Sequence, residues 1–379
     1  MRRRQVLASV SLLGCGCLAR NRTPEPGAVS LTPVATGLQE PVAVEHSPVE
    51  DGVFFVGDRY GWVRRIDDDG VQAQPVVDVT DDLVEIQSWE QGLLGLALHP
   101  RFGESRKLYV RYSGRLRDGM SPQHSHTFVL LEVTLDETFE SAVGAETRTL
   151  LEFPEPGARH NGGGLAFDEA GNLLVTVGDG GDQADAGQGH AKDWYDPLPG
   201  GNGQDITENL LGSVLRIDVD ARADGKPYGI PTGNPLTDEE GLPEQYAWGF
   251  RNPYALTVHD DDVYVTDVGE DWYEEVNVLV AGGNYGWNIR EGDACYQKTG
   301  DPDPDLECPS ETPDGEPLRS PVIEFPHDSD EGSTALVGGE VYRSDELPFL
   351  HDSFVFGEVL DGPQLFAANR KYEEDGNWK

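Results

Sequence analysis

The chain has 379 residues, with 69 Asp plus Glu against 28 Lys plus Arg and a formal net charge of −41 at pH 7. Such a surface repels polyanions and excludes nucleic acid as the default partner. Apolar residues make up a normal 37%, and the acid is spread along the chain rather than gathered in a tail. The composition therefore describes a folded protein with a high-salt surface, not a disordered one.

Residues 1–17, MRRRQVLASVSLLGCGC, place arginines before a short apolar stretch. That stretch is too short to span a membrane and reads as an export signal resembling a twin-arginine leader. LLGC resembles a lipobox that would lipidate Cys15. The expectation is an exported, extracellular or cell-surface protein whose membrane contact runs only through that lipid. Residues 18–30, including RNRTPEPG, read as a flexible tether. No later apolar run approaches the roughly 20 residues of a transmembrane helix.

From residue 31 to 379 one plan recurs: an apolar strand, a turn with Asp and Gly, a second strand rich in Val, Leu and Tyr, then a further strand. It runs through 41–67, 93–113, 162–181 with 211–220, 254–279 and 338–368. Short alternating strands with Gly, Asp and Pro turns, without amphipathic helices, predict an all-β fold, a β-propeller of four-stranded blades. Five units followed by KYEEDGNWK predict a six-bladed ring lacking its last blade in this chain. A five-bladed ring with a degenerate closing strand is the alternative. Cys295 and Cys308 flank a Pro/Asp-rich loop and are expected to form a disulfide.

The repeat also places polar residues. In RHNGGGLAFDEAGNLLVTVGDGG, strands 161–167 and 172–178 of equal length bring His160 beside Asp179 at one rim. A carboxylate there orients the imidazole and leaves its other nitrogen as a general base. The same construction puts Arg251 and Asn252 before strand 254–258, and Asp267, Gly269 and Glu270 after strand 262–266. Glu90 precedes the strand of its own blade likewise, so all converge on one end of the central channel. GDGGDQADAG supplies Asp179, Asp182 and Asp185 as candidates for a calcium loop, but it lacks the Glu-terminated spacing of an EF-hand, so a solvated acidic loop is the preferred reading. His99, in a turn, belongs to the opposite rim and a structural role. GxSxG, P-loop and HExxH motifs do not occur.

GLLGLALHP, HNGGGLAFDEAGNLLVTVGDGG, LLGSVLRIDVD, YGIPTGNP, AWGFRNPYAL and GGNYGWNIREG together resemble, in order, the soluble quinoprotein glucose/sorbosone and aldose sugar dehydrogenases, over residues 34 to 368. The resemblance implies a six-bladed propeller with pyrroloquinoline quinone (PQQ) and calcium, oxidising aldose sugars to lactones and passing electrons to an unnamed acceptor. It makes His160 the base, Asp179 its acidic neighbour, and Arg251 with Asn252 the quinone clamp. Gly269 and Glu270 fall where backbone carbonyls hold calcium, and Glu90 where a polar substrate contact sits. Two features depart from the pattern. Val268 replaces a polar or imidazole side chain, and FVFGEVLDGPQLF lacks the basic residues that grip the quinone carboxylates, leaving His327 and Arg343 as substitutes. HNGG, GDGG and the cysteine pair after NYGW are similar to the branch shared with hedgehog-interacting proteins, which implies a second reading as a non-catalytic binding propeller. A metal-assisted lactonase is a third, and no side-chain cage of Asp, Asn and Glu supports it.

Overall fold

The computed structural model describes residues 8–10, 29–195, 197–198, 200–223, 225–236, 241–327, 335–359 and 364–369. Five antiparallel sheets are arranged as a propeller, each beginning at the central channel and stepping outward. The first holds Pro41–His46, Phe54–Asp58 and Trp62–Asp67, closed by two short strands, Gly70–Val71 and Val77–Asp78. The second holds Leu93–Leu98, Lys107–Gly114, His126–Leu135 and Ala142–Glu155. Leu165–Phe167, Leu173–Val177, Ser213–Ile217 and Gln245–Trp248 form the third, with Gly283–Asn284 added in parallel. The fourth holds Pro253–His259, Asp262–Asp267, Tyr273–Val278 and Ile323–Pro326. The fifth holds Leu336–Val341, Ser353–Glu358 and Gln364–Asn369, and the backbone of Ala8–Val10 runs antiparallel beside its last strand.

The hydrophobic core lies between successive sheets, as expected when each blade can bury its apolar faces only against a neighbour. Phe55, Leu93, Leu96 and Val110 join the first sheet to the second. Tyr109, Phe128, Val175 and Leu215 join the second to the third. Leu174, Val214, Val263 and Val265 join the third to the fourth, and Tyr264, Val276, Phe354 and Phe356 the fourth to the fifth. LLGLAL at 93–98 is therefore buried along its whole length, because an inner strand is covered on both faces.

The propeller architecture agrees with the sequence reading. Five of its sheets are present among the described residues; the sixth that the sequence reading expects for a complete ring is not among them. The segment read as an export signal, with Cys15, lies outside the described residues apart from the backbone of 8–10, and among the described residues no helix is long and apolar enough to cross a membrane. Cys295 and Cys308 form the expected disulfide.

Strand 161–167 is shorter than expected, spanning only Leu165–Phe167. The reason is crowding at the axis. Gly163 has φ 136° and a Cβ on it would come within 2.8 Å of the Leu94 side chain of the second sheet, while a Cβ on Gly95 would lie 2.0 Å from the Gly163 carbonyl oxygen. The HNGGG segment thus gives up ladder pairing for close approach to the next blade.

Candidate functional site

A carboxylate at the end of a blade's second strand receives donors from the segment entering its first strand. In the first sheet Asp58 accepts the N–H groups of Gln39 (3.0 Å) and Glu40 (3.4 Å). In the fourth, Asp267 accepts those of Arg251 (3.0 Å) and Asn252 (2.7 Å). The third sheet alters this pattern: His160 has φ 51°, and its side chain takes the place of the backbone donor. His160 Nδ1 lies 2.8 Å from Asp179 Oδ1. The register that pairs Leu165 with Val175 continues to a Gly180 N–H donated to the His160 carbonyl at 3.2 Å, so strand pairing sets the His–Asp geometry.

Asp179 is fully buried and fully employed. Its Oδ1 also accepts the Gly181 N–H at 2.9 Å, and its Oδ2 accepts Trp287 Nε1–H at 2.8 Å. Burial works to raise its pKa, but His160, Arg251 and the Gly181 N–H together hold it below the ordinary carboxylate value. It is therefore an ionised acceptor that fixes the imidazole, while His160 Nε2 has no hydrogen-bond partner among the described residues and its ring lines the central cavity.

Glu90 ties three blades together. Its Oε2 accepts the His160 N–H and the Asn252 side-chain amide at 3.1 Å, and its carbonyl accepts Asn161 Nδ2–H at 2.9 Å. Asn252 Oδ1 in turn accepts the Gly162 N–H at 3.0 Å. Arg251 donates from Nε to Glu270 at 3.0 Å and from Nη1 to the Val268 carbonyl at 3.0 Å, with its guanidinium 5.7 Å from the Trp287 ring centre.

All seven candidates, His160, Asp179, Arg251, Asn252, Glu90, Gly269 and Glu270, meet at one end of the channel. All but Asp179, which lies behind His160, line a cavity of about 860 Å³. His327 also lines it, with Nε2 2.7 Å from Glu274 Oε1; burial opposes the charge on His327, but Glu274 raises its pKa above the ordinary value. Arg343 does not line this cavity, and its Nη2 donates to the Val258 carbonyl at 3.3 Å. His99 is buried beside Tyr109 and Phe167 with Asp220 3.4 Å away, as its structural reading requires. The solvated-loop reading holds for Asp182 and fails for Asp179 and Asp185, both fully buried, with Asp185 accepting the Gly203 N–H at 2.7 Å.

The sequence reading missed Trp287, the third hydrogen-bond donor to the Asp179 carboxylate, and Glu291, whose Oε1 accepts the N–H groups of Glu270, Asp271, Trp272 and Tyr273 at 2.7–3.0 Å. That carboxylate holds the Gly269–Glu270 turn in shape. NYGWNIREG was visible as a motif, but nothing local in it points to Asp179.

The Gly269–Glu270 turn on the cavity wall offers oxygen donors to a cation. The carbonyls of Gly269 and Glu270 accept no hydrogen bond from the described residues, and oxygen ligands of this kind suit calcium. Among the described residues no group of three or more His, Cys, Asp and Glu side chains could hold a metal. Arg251 and Asn252 stand beside that turn on the same cavity wall.

Fold and site together define a β-propeller whose channel mouth carries a histidine held by a buried aspartate, next to a paired arginine. Residues 38–371 match the Glucose / Sorbosone dehydrogenase family, and the chain belongs to it. Among curated proteins it is similar to HIPL2 protein of Arabidopsis thaliana (27% identical, 81% of this chain, 47% of the relative). It is also similar to Hedgehog-interacting protein of Homo sapiens (29%, 86% of this chain, 42% of the relative), so it spans about half the length of these relatives. Among solved structures, the apo-form of soluble aldose sugar dehydrogenase from Escherichia coli aligns with a TM-score of 0.67 at 22% identity, over 90% of this chain and 85% of that one. The PQQ-bound form of aldose sugar dehydrogenase from Streptomyces coelicolor aligns with a TM-score of 0.56 at 22% identity, over 89% and 85%. At this identity the likeness establishes the fold.

Proposed function

We propose that the protein is a PQQ-dependent aldose dehydrogenase of the six-bladed type, exported, and oxidising the anomeric carbon of a sugar to a lactone. The observation that carries this reading is the His160–Asp179 pair, set by strand register at the wall of the cavity in a chain of this family. His160 Nε2 takes the proton of the anomeric hydroxyl. Asp179 keeps Nδ1 as the donor and stabilises the imidazolium that results. Asn252 and Glu90 brace the backbone on either side of the base, and Glu90 Oε1 is available to a sugar hydroxyl. Arg251 and Asn252 would hold the quinone, with the Gly269 and Glu270 carbonyls as calcium ligands. When bound, PQQ with calcium supplies the two-electron acceptor for the C1 hydride.

The test adds PQQ and calcium to the full chain in molar salt and assays aldoses with an artificial acceptor. Cofactor-dependent turnover that drops about 10²–10⁴-fold in His160→Ala is expected. Turnover indifferent to that substitution would sink the assignment. A second reading, a non-catalytic binding propeller, draws on the Hedgehog-interacting relative and on the neutralisation of Arg251 by Glu270. It expects no PQQ binding at all, measured by absorbance titration.

A further inference from the structure

We infer that Arg159, with Trp89, makes the mouth of this cavity a receptor for an aldose bearing a carboxylate, a uronic acid, rather than a neutral hexose. The inference rests on the dehydrogenase reading for its chemistry but not for its binding test. Three arginines line the cavity. Arg59 is paired with Glu40 and Arg251 with Glu270, and the imidazole of His327 with Glu274. Arg159, by contrast, has no ion pair or hydrogen bond from its side chain among the described residues. In a chain with 69 acidic and 28 basic residues, acid is in ample supply, so a guanidinium left unpaired on a cavity wall is available to an incoming anion. Arginine presents a planar fork that matches a carboxylate bidentately.

Its position selects the substrate's carboxylate over the cofactor's. Arg159 is exposed, immediately precedes His160, and packs its Cβ over Gly181, where an added methyl would come within 3.6 Å of it. Trp89, immediately before Glu90, is 54% exposed and lines the same mouth. An indole offers the apolar face of a pyranose a platform, with polar groups around it fixing orientation. These two residues enter from the second and third blades, whereas Arg251, Gly269 and Glu270 belong to the fourth. Arg251 is only 8% exposed. The open, unpaired cation thus stands beside the sugar's reacting end, and the sealed, paired one beside the turn that fits the cofactor.

The deciding measurement is equilibrium binding of D-glucuronate and D-glucose to the full chain in molar KCl, without cofactor, by ligand-observed NMR titration. Wild type is expected to favour glucuronate by about tenfold or more, and Arg159→Gln to lose that ratio. Trp89→Ala is expected to weaken both sugars together. Equal affinities in wild type, or a preference that survives Arg159→Gln, would overturn the inference. A parallel absorbance titration with PQQ separates the two carboxylate sources. If Arg159→Gln weakens PQQ and leaves the sugar ratio intact, the residue serves the cofactor and the inference fails. If the sugar ratio depends on Arg159 but no aldose is turned over with PQQ and calcium, recognition stands and the dehydrogenase reading alone falls.

Discussion

His160 sits in the left-handed region, where only a surrounding network keeps a non-glycine residue, and its partner Asp179 spends both oxygens on His160, Gly181 and Trp287. Asp179→Asn keeps the volume but turns one acceptor oxygen into an N–H donor that meets either Trp287 Nε1–H or the His160 and Gly181 donors, so it should cost the proposed turnover about 10²–10⁴-fold while far-ultraviolet circular dichroism remains native; a loss below tenfold would show that the carboxylate is incidental. A second residue predicts pH behaviour. Glu155 is fully buried, with Arg111 Nη2 3.6 Å away and no hydrogen bond to either carboxylate oxygen. Burial, against the attraction of Arg111, pushes its pKa up to about 8 from 4.5. The folded chain keeps a proton that the unfolded chain releases, so this group costs stability as pH rises from 4.5 through 8. Glu155→Gln should therefore gain on wild type across that window, by on the order of 1–3 kcal/mol at its upper end, in urea unfolding at a series of pH values. At this scale the sequence was most informative where register alone sufficed: His160 and Asp179 are joined by one hairpin. Trp287 was hidden because it reaches Asp179 from 108 residues away, and Asp185 was misread because burial of a loop carboxylate depends on the fold around it.

Between elements, the blades were legible because their strands alternate and their turns are marked, yet strand length at the axis was not. Gly95 and Gly163 look like ordinary loop glycines in sequence; only the packing shows that their backbones nearly touch across the second and third blades. Gly95→Ala drives a methyl into a carbonyl oxygen that cannot rotate away, which should destabilise by about 1–3 kcal/mol, whereas Gly70→Ala, with nothing within 4 Å and φ 100°, tests the cost of backbone conformation alone. Comparable urea midpoints for the two would remove close approach as the reason for the short inner strand. The disulfide acts on a different element. Cys295–Cys308 closes a loop of 13-residue separation next to the Arg290–Glu291 hairpin, and that hairpin presents Glu291 to the Gly269–Glu270 turn. Cys295→Ser with Cys308→Ser should lose about 3 kcal/mol by the loop-entropy relation and also loosen that turn, so at the calcium site proposed there the affinity for calcium should weaken even where the fold survives. An unchanged calcium titration would confine the disulfide to stability.

The surplus of 41 negative charges acts on the propeller as a whole, because the ring places acidic side chains around every blade and no single ion pair offsets them. Surface pairs such as Arg101–Asp220 and Arg343–Glu340 are worth little each, so the compact state carries a net self-repulsion that unfolding relieves. Screening shortens its range from about 10 Å at 0.1 M salt to about 3 Å at 1 M. The thermal midpoint at neutral pH should therefore climb by several degrees as KCl rises over that range. Salt also acts through hydration, and pH separates the two causes. Near the sequence pI of about 4.3 the net charge vanishes and with it the repulsion, so a charge origin requires the dependence of midpoint on salt to shrink steadily as pH falls from 7 toward that value. Asp179, held below the ordinary carboxylate range, stays ionised through most of that interval, so the site persists while the surface discharges. A salt dependence equally steep near the pI and at neutrality would assign the effect to hydration of the folded surface and leave the acidic excess without a role in stability.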